Sequence, residues 1–384
     1  MSDPQAQQNT QNPQPAIRQP SVMLSDLTSE LLWPKLFRAP ALALAPSRLI
    51  AGSICVFLLA SVLQIIFIFA PTPSSEAPNT TGFYAQLEGI SNRFELTVRS
   101  IVDSIFSLDP IALTQSIWLA VITIRDMIMQ SPLISLLVGV PLIAILAITG
   151  GTISRSTAIE FGQGRYAPRE DTLGFTLKRT RQFVCAVIGP VIICAIAFLI
   201  IALGGLLLST PIIDILGAIL YPIGLIMGIV ATIVLCLHVF ALPLIVPALA
   251  IEGTDAFDAV QRSYAYVISK PLRYIAYAAI LLVLGVFSAG IFTLVAEGSV
   301  AMTDWAAQLI ANPSTAQALD GQGELGATKN IAHTIILIVK AFIKFIVSGY
   351  LVSIFFTSSS LLYLFTRRIN DGQDTSEVWD GLGE

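Results

Sequence analysis

Two glutamates end apolar runs of this chain in the same way, and theirs are the first side chains whose spacing could do chemical work. Ala158-Ile159-Glu160 closes one run and Ala250-Ile251-Glu252 closes another. An aspartate then opens a more polar stretch in each case, Asp171 before TLGFTLKR and Asp255 before AFDAVQRS. Seven residues beyond each aspartate stands a base, Lys178 in the first and Arg262 in the second. Acid and base placed this way at a membrane surface are partly desolvated, so their pairing can exceed the ~0–1 kcal/mol of an exposed ion pair. The pattern predicts that Glu160 pairs with Lys178 or Arg179, and Glu252 with Arg262, anchoring two short helices. The competing reading makes each glutamate simply the first polar residue beyond the hydrocarbon.

The other ionisable groups point to structure more than to reaction chemistry. Gly253 and Thr254 break the preceding helix, and Asp255 followed by Asp258 has the form of an N-cap with an acid at the third position. Two carboxylates alone do not complete a Mg²⁺ site. The two histidines, His238 and His333, lie far apart in sequence and on opposite expected sides. His238 is expected to be buried and bonded to a neighbouring helix. The four cysteines sit inside apolar runs without CxxC spacing and read as small core residues. HExxH, GxSxG and P-loop patterns do not occur. Asn370-Asp371-Gly372-Gln373-Asp374 looks like the start of the Asp-rich motif of membrane prenyltransferases, yet that family's later acidic position is Val378 here. The stretch reads instead as a solvated tail whose carboxylates lack partners. Lys340 and Lys344 stand i,i+4 on one apolar run; Lys344 falls near the outer interface, where snorkelling explains it, the sharper alternative being a buried ion or substrate contact. No cofactor, metal or catalytic set follows from these residues.

The elements that must carry them are membrane helices. Hydrophobic residues make up 55% of the chain and charged residues 12%, against about 25% charged in a soluble domain. The apolar residues concentrate in runs able to cross about 30 Å of hydrocarbon. Six spans are predicted, at 49–70, 132–153, 183–208, 211–251, 272–296 and 331–366. The fourth and sixth are too long for one straight crossing, and Pro222, Pro243 and Pro247 are the expected kinks in the fourth. Residues 1–21 read as a disordered cytoplasmic tail, 22–370 as the membrane domain and 371–384 as a polar cytoplasmic tail. Within the domain, 110–130 is expected to be interfacial or re-entrant. Fifteen of the 21 Lys and Arg residues then fall on one side, and only Arg93, Arg99, Arg125 and Lys329 in the loops of the other. The positive-inside rule puts both termini in the cytoplasm. The net charge of −4 carries no basic block, which argues against nucleic acid as a partner. The spans also lack Asp or Glu in their cores, which argues against proton-coupled transport.

Between the fourth and fifth spans an amphipathic surface helix is predicted, with Phe257, Val260, Tyr264 and Val267 on its apolar stripe and Asp258, Gln261, Arg262 and Ser269 elsewhere. Tyr264, Tyr266, Tyr274 and Tyr277 suit an interfacial aromatic belt. The architecture is thus an all-α polytopic membrane bundle of about six transmembrane helices with amphipathic surface helices. Span, surface helix, span is used twice, as an internal repeat would have it. The run PLIVPALAIEGTDAFDAVQRSYAYVISKPLRY resembles a signature of uncharacterised bacterial multipass membrane proteins and, more distantly, the membrane domain that accompanies some glycerophosphodiester phosphodiesterases. The residues carrying the likeness are Pro243, Pro247, Glu252, Gly253, Ala259, Arg262 and Ser263. The resemblance implies a fold and a bacterial inner-membrane location, and it transfers no catalytic residue. Two functions follow as expectations: a non-enzymatic assembly, scaffold or transport-accessory component, with the lipid bilayer and membrane proteins as partners, or a transporter or permease for a small or lipidic substrate.

Overall fold

Prolines stand at the first position of four helices, Pro46, Pro110, Pro132 and Pro271. There the missing N–H would have had no intrahelical partner and the fixed φ suits the first turn. From these starts the apolar runs propagate as helices, the only way a single segment can satisfy its own backbone in lipid. A computed structural model describes residues 33–69, most of 92–130, 132–209, 211–310 and 327–379. The expected tail at 1–21 lies outside the described residues.

The helices are α1 (Ala39–Ala43), α2 (Pro46–Phe69), α3 (Pro110–Gln130), α4 (Pro132–Gln163) and α5 (Arg169–Lys178), followed by α6 (Thr180–Leu208), α7 (Asp214–Glu252), α8 (Ala256–Ser269), α9 (Pro271–Gln308) and α10 (Ala327–Asp371). Among the described residues there is no strand. Five of them, α4, α6, α7, α9 and α10, are long and apolar enough to cross a membrane, and α2 makes a sixth span if joined to the segment ending at Ala43 across a 65° bend. The all-α bundle is as expected, and each predicted span corresponds to one helix, although α7 begins at Asp214 and not at 211. In α3 the apolar part is shorter, Pro110–Thr123. Its Ser116 meets Ser100 and Ser104 at 2.6 and 2.9 Å, a hydroxyl seam to the segment before it.

The helix ends differ from expectation. α4 continues to Gln163 instead of stopping at 153, and α9 to Gln308 instead of 296. α7 runs unbroken for 39 residues through Pro222, Pro243 and Pro247, about 58 Å at 1.5 Å per residue. It therefore solves its excess length by projecting beyond the hydrocarbon rather than by breaking. Burial shows where the projection goes. Before Ala241 the buried residues of α7 are Gly217, Ala231 and His238, whereas Leu244 through Ile251 are buried without interruption. Residues 150–159 of α4 and 359–367 of α10 are likewise wholly buried. By contrast only 6% of the most apolar window of α6, and 6% of that of α9, is buried. The long helices are gathered at one end, called here the capped end, and leave most of their apolar length to the surrounding lipid, which solvates it as well as another helix would.

Small residues permit the closest approaches. A Cβ on Gly52 of α2 would lie 2.1 Å from the Gly349 carbonyl oxygen of α10, so these backbones touch. One turn along, the Ser353 hydroxyl donates to the Ala43 carbonyl at 2.7 Å. The surface helix α8 is rotated from its predicted setting: it buries Ala259, Ser263, Tyr266 and Val267 while Phe257 is 75% exposed. Ala259 and Ser263 are small enough to let α8 lie close to its neighbours, which outweighs burying the larger Phe257. Two of the four tyrosines assigned to an aromatic belt are placed differently, while Tyr264 and Tyr277 are half-buried. Tyr266 and Tyr274 are buried between helices, and the Tyr274 hydroxyl donates to the Phe240 carbonyl.

Candidate functional site at the capped end

Glu252 is the last residue of α7, and the turn after it decides what it meets. Gly253 adopts φ +62 and returns its N–H to the Leu249 carbonyl at 3.0 Å, a left-handed cap that glycine makes without strain. Asp255 then caps α8 by accepting the Asp258 N–H at 2.9 Å, as the spacing predicted. So tight a reversal lays α8 back along α7 and brings Arg262 onto Glu252. Their ion pair forms as expected, between Arg262 Nη1 and Glu252 Oε2. The other carboxylate oxygen accepts from the Tyr363 hydroxyl and lies 3.8 Å from Arg367 Nη1, both on α10. Glu252 is 8% exposed and Arg367 3%, so one carboxylate ties three helices together out of water.

Glu160 corrects its prediction. Its partner is Arg48, at the start of α2, rather than Lys178 or Arg179. The Arg48 guanidinium also donates to the Leu42 carbonyl, and its Nε to the Ser156 hydroxyl at 3.4 Å. A planar fork can serve three acceptors at once, which a lysine ammonium on the outer face of α5 could not do from where it sits. Lys178 is exposed. Arg179 is turned towards the Gly253 carbonyl and the rings of Phe175 and Trp379, at 5.3 and 4.7 Å from their centroids. The two units of the proposed repeat therefore share their Ala-Ile-Glu ending but not their ion pair. Behind α4 comes a five-residue link, 164–168, before the ten-residue α5, so α5 does not fold straight back over Glu160 as α8 does over Glu252.

The stretch expected to be a solvated tail is docked as far as Trp379. Asp371, at the end of α10, accepts from the Tyr266 hydroxyl. Burial, and next that carboxylate, push the Tyr266 hydroxyl well above the usual phenol range, so it stays protonated and remains a donor. The Ser376 N–H and hydroxyl, at 3.0 and 3.1 Å, hold Asp374 below the usual carboxylate range. Both acids of the prenyltransferase-like motif are thus used in local structure.

The remaining candidates separate. His238 contacts the Tyr264 hydroxyl through Nδ1 and the Val187 carbonyl through Nε2, each at 3.0 Å, and so joins α7 to α8 and α6 as expected. A carbonyl only accepts, so Nε2 carries the proton and Nδ1 accepts from Tyr264. At the opposite end Lys340 pairs with Asp304 at 2.6 Å, a contact created by the unpredicted extension of α9. Lys344 is exposed. Among the described residues no group of three His, Cys, Asp or Glu is placed to hold a metal. Between α6 and α7 lies a groove of about 1080 Å³, lined by residues such as Phe198, Ile201, Leu208, Leu220, Ile229 and Ile233. At the capped end Arg48, Arg155, Arg179, Arg262 and Arg367, with Glu160 and Glu252, are engaged with each other and with backbone carbonyls, and these contacts bind the helices together. The chain is an all-α protein with the apolar helices of a multi-pass membrane protein, and no family model, no curated protein and no solved structure matches it.

Proposed function

We propose that this protein is a non-enzymatic membrane component, an assembly, scaffold or transport-accessory protein of a bacterial inner membrane, with the capped end and both termini in the cytoplasm. The observation that carries the reading is the division of labour along the helices. Ionisable side chains at the capped end join α2, α4, α7, α8 and α10, while the most apolar windows of α6 and α9 are only 6% fully buried, the rest being half-buried or exposed. Such surface is accessible to other membrane helices, whose association would come from close packing and not from apolar burial, since lipid solvates it equally well. To the same proposal belongs the resemblance of the α7–α8 segment to uncharacterised bacterial multipass membrane proteins, which supplies a location and no reaction. Cytoplasmic placement of the capped end rests on its share of the basic residues. In a cysteine-free background, a membrane-impermeant maleimide applied to intact cells is expected to label a cysteine at Asn330 and to spare one at Tyr166; the reverse pattern would invert the orientation.

A second reading, a permease for a lipidic substrate, is favoured by the apolar groove between α6 and α7. Native mass spectrometry of protein released from mild detergent separates the two. A stoichiometric protein partner is the result expected of a scaffold. Retention of one lipid-like molecule in place of a protein, lost when Gly224 or Gly228 is replaced by Leu to fill the groove, would move the assignment to the permease.

A further inference from the structure

The segment that follows α10 is bound the way a ligand is bound. Gly372 closes α10 through an N–H to the Arg368 carbonyl at 3.1 Å; it has φ +72, and a Cβ added there would meet nothing within 4 Å. It is a left-handed turn standing in open space. Beyond it, the contacts to residues 374–379 are made largely to their main chain. Arg367 Nη2 donates to the carbonyls of Asp374 and Glu377 at 2.9 and 2.6 Å, and Gln163 Nε2 donates to the Ser376 carbonyl at 3.2 Å. Arg155 Nη2 donates to the Trp379 carbonyl at 2.9 Å, while the Trp379 N–H donates to the Ile251 carbonyl at 2.9 Å. The side chains of Ser376 and Glu377 face outwards.

Val378 and Trp379 point the other way. Val378 is buried, and the indole lies over Gly253, where a Cβ would come within 2.6 Å of the ring, with Arg179 and Phe175 beside it. Gly162 is bare for the same reason, since a Cβ there would fall 2.2 Å from the Thr375 carbonyl oxygen. The walls are ordered by contacts within the body of the protein. Arg155 stacks on Phe175 at 4.0 Å and also holds the Ala250 carbonyl at 3.0 Å, the last turn of α7. Main-chain bonding for affinity with one deep pocket for a side chain is the logic of extended-peptide recognition.

We infer that the ends of α4 and α7, with α5, form a recognition groove for an extended peptide bearing a tryptophan, and that residues 372–379 are its resident, detachable occupant. A partner presenting such a peptide would compete with the strap and release Trp379 from the ends of α4 and α7. Tethering through Gly372 gives the strap an effective concentration on the order of mM, so it holds the groove against dilute competitors even if its intrinsic affinity is modest.

The test uses full-length protein in detergent and a fluorescein-labelled, C-terminally amidated peptide of residues 372–379, followed by anisotropy. Trp379→Ala protein should bind the peptide, and wild type should bind it about tenfold or more weakly because its own strap competes. A peptide carrying the same Trp→Ala change should lose about tenfold or more, the effect of removing a half-buried aromatic anchor that packs against Arg179 and Phe175. Absence of binding to Trp379→Ala protein that still melts cooperatively overturns the proposal, as does equal binding to both proteins. Dissociation of a wild-type dimer by the peptide would overturn the intramolecular occupancy, because the strap would then be exchanged between copies. Should Trp379→Ala fail to fold, Gly162→Ala leaves every strap residue in place and wedges it at Thr375. Cleavage at Glu377 by a glutamate-specific protease should then be clearly faster than in wild type, and unchanged cleavage counts against a detachable strap.

Discussion

Glu252→Ala is expected to be among the most damaging single substitutions at the capped end, lowering stability by about 3–5 kcal/mol, the range for removing one member of a buried ion pair. The loss comes from what is left behind. Arg367 is 3% exposed, and its Nε has no hydrogen-bond partner, so without Glu252 its charge is stranded away from water. Tyr363, fully buried, loses the acceptor of its hydroxyl at the same time. Glu252→Gln keeps an acceptor for Tyr363 and the side-chain shape, and should do less harm. Coupling between Glu252 and Arg262 in a double-mutant cycle should be about 1 kcal/mol, because Arg262 is 41% exposed and water replaces part of its partner. The readout is the melting temperature in detergent, where Glu252→Ala should fall by at least about 5 °C. Wild-type melting in Glu252→Ala would show that Arg367 is held by the strap carbonyls alone, and that the carboxylate is not the joint between α7, α8 and α10.

The spans were legible because crossing a bilayer fixes length and composition, and both are plain in the chain. Helix ends were not, because tertiary contacts set them. The extension of α4 through SRSTAIEFGQ is too polar for hydrocarbon and reads as a loop, yet it is helical throughout and buried as far as Ile159. Hydroxyls in and beside it are spent locally or on neighbouring helices: Thr152 donates to the Ile148 carbonyl at 2.9 Å, Ser156 accepts from Arg48, and Thr157 meets Thr357 of α10 at 3.5 Å, while in α10 Ser360 and Thr366 donate to the Phe356 and Leu362 carbonyls at 2.6 and 2.8 Å; the buried Ser154 hydroxyl is left without a partner among the described residues. Hydropathy counts such residues as surface, although a Ser or Thr bonded to the preceding turn packs as a small side chain. The same blindness hid Asp304 from Lys340.

At the site, legibility followed sequence distance. Glu252 and Arg262 belong to one helical hairpin, and its cap residues, Gly253 and Asp255, are visible in the sequence. Arg48 and Glu160 are 112 residues apart, and no local pattern links them. The docking of the strap was hidden differently, since its bonds are to main-chain carbonyls and N–H groups that every residue type carries. One signal was available: Val378 and Trp379, an apolar pair at the end of an otherwise polar stretch, have no reason to stand there if the tail is solvated. Tyr266 and Tyr274 were misplaced because an interfacial tyrosine and an interhelical one have the same sequence neighbourhood.

Glu160→Ala and Arg48→Ala are expected to differ, and the difference identifies the partner of Glu160. Arg48 is buried, while the Glu160 side chain is 35% exposed. Removing Glu160 leaves a guanidinium in the protein interior with only the Leu42 carbonyl and Ser156 to hold it, and should lower stability by about 3 kcal/mol. Removing Arg48 leaves a carboxylate that water can reach, so its loss should come from the vacated volume and the unpaired Leu42 carbonyl, about 2 kcal/mol. The double variant Arg48→Met/Glu160→Gln should then be more stable than Glu160→Ala alone, since an apolar side chain of similar length replaces the stranded charge. Lys178→Ala, at an exposed position, should stay within about 0.5 kcal/mol of wild type. Each is read as a melting temperature in the same detergent. Additive losses in the double variant, or a loss at Lys178 matching that at Glu160, would return the glutamate to the lysine seven residues beyond Asp171 and restore the symmetry of the two loops.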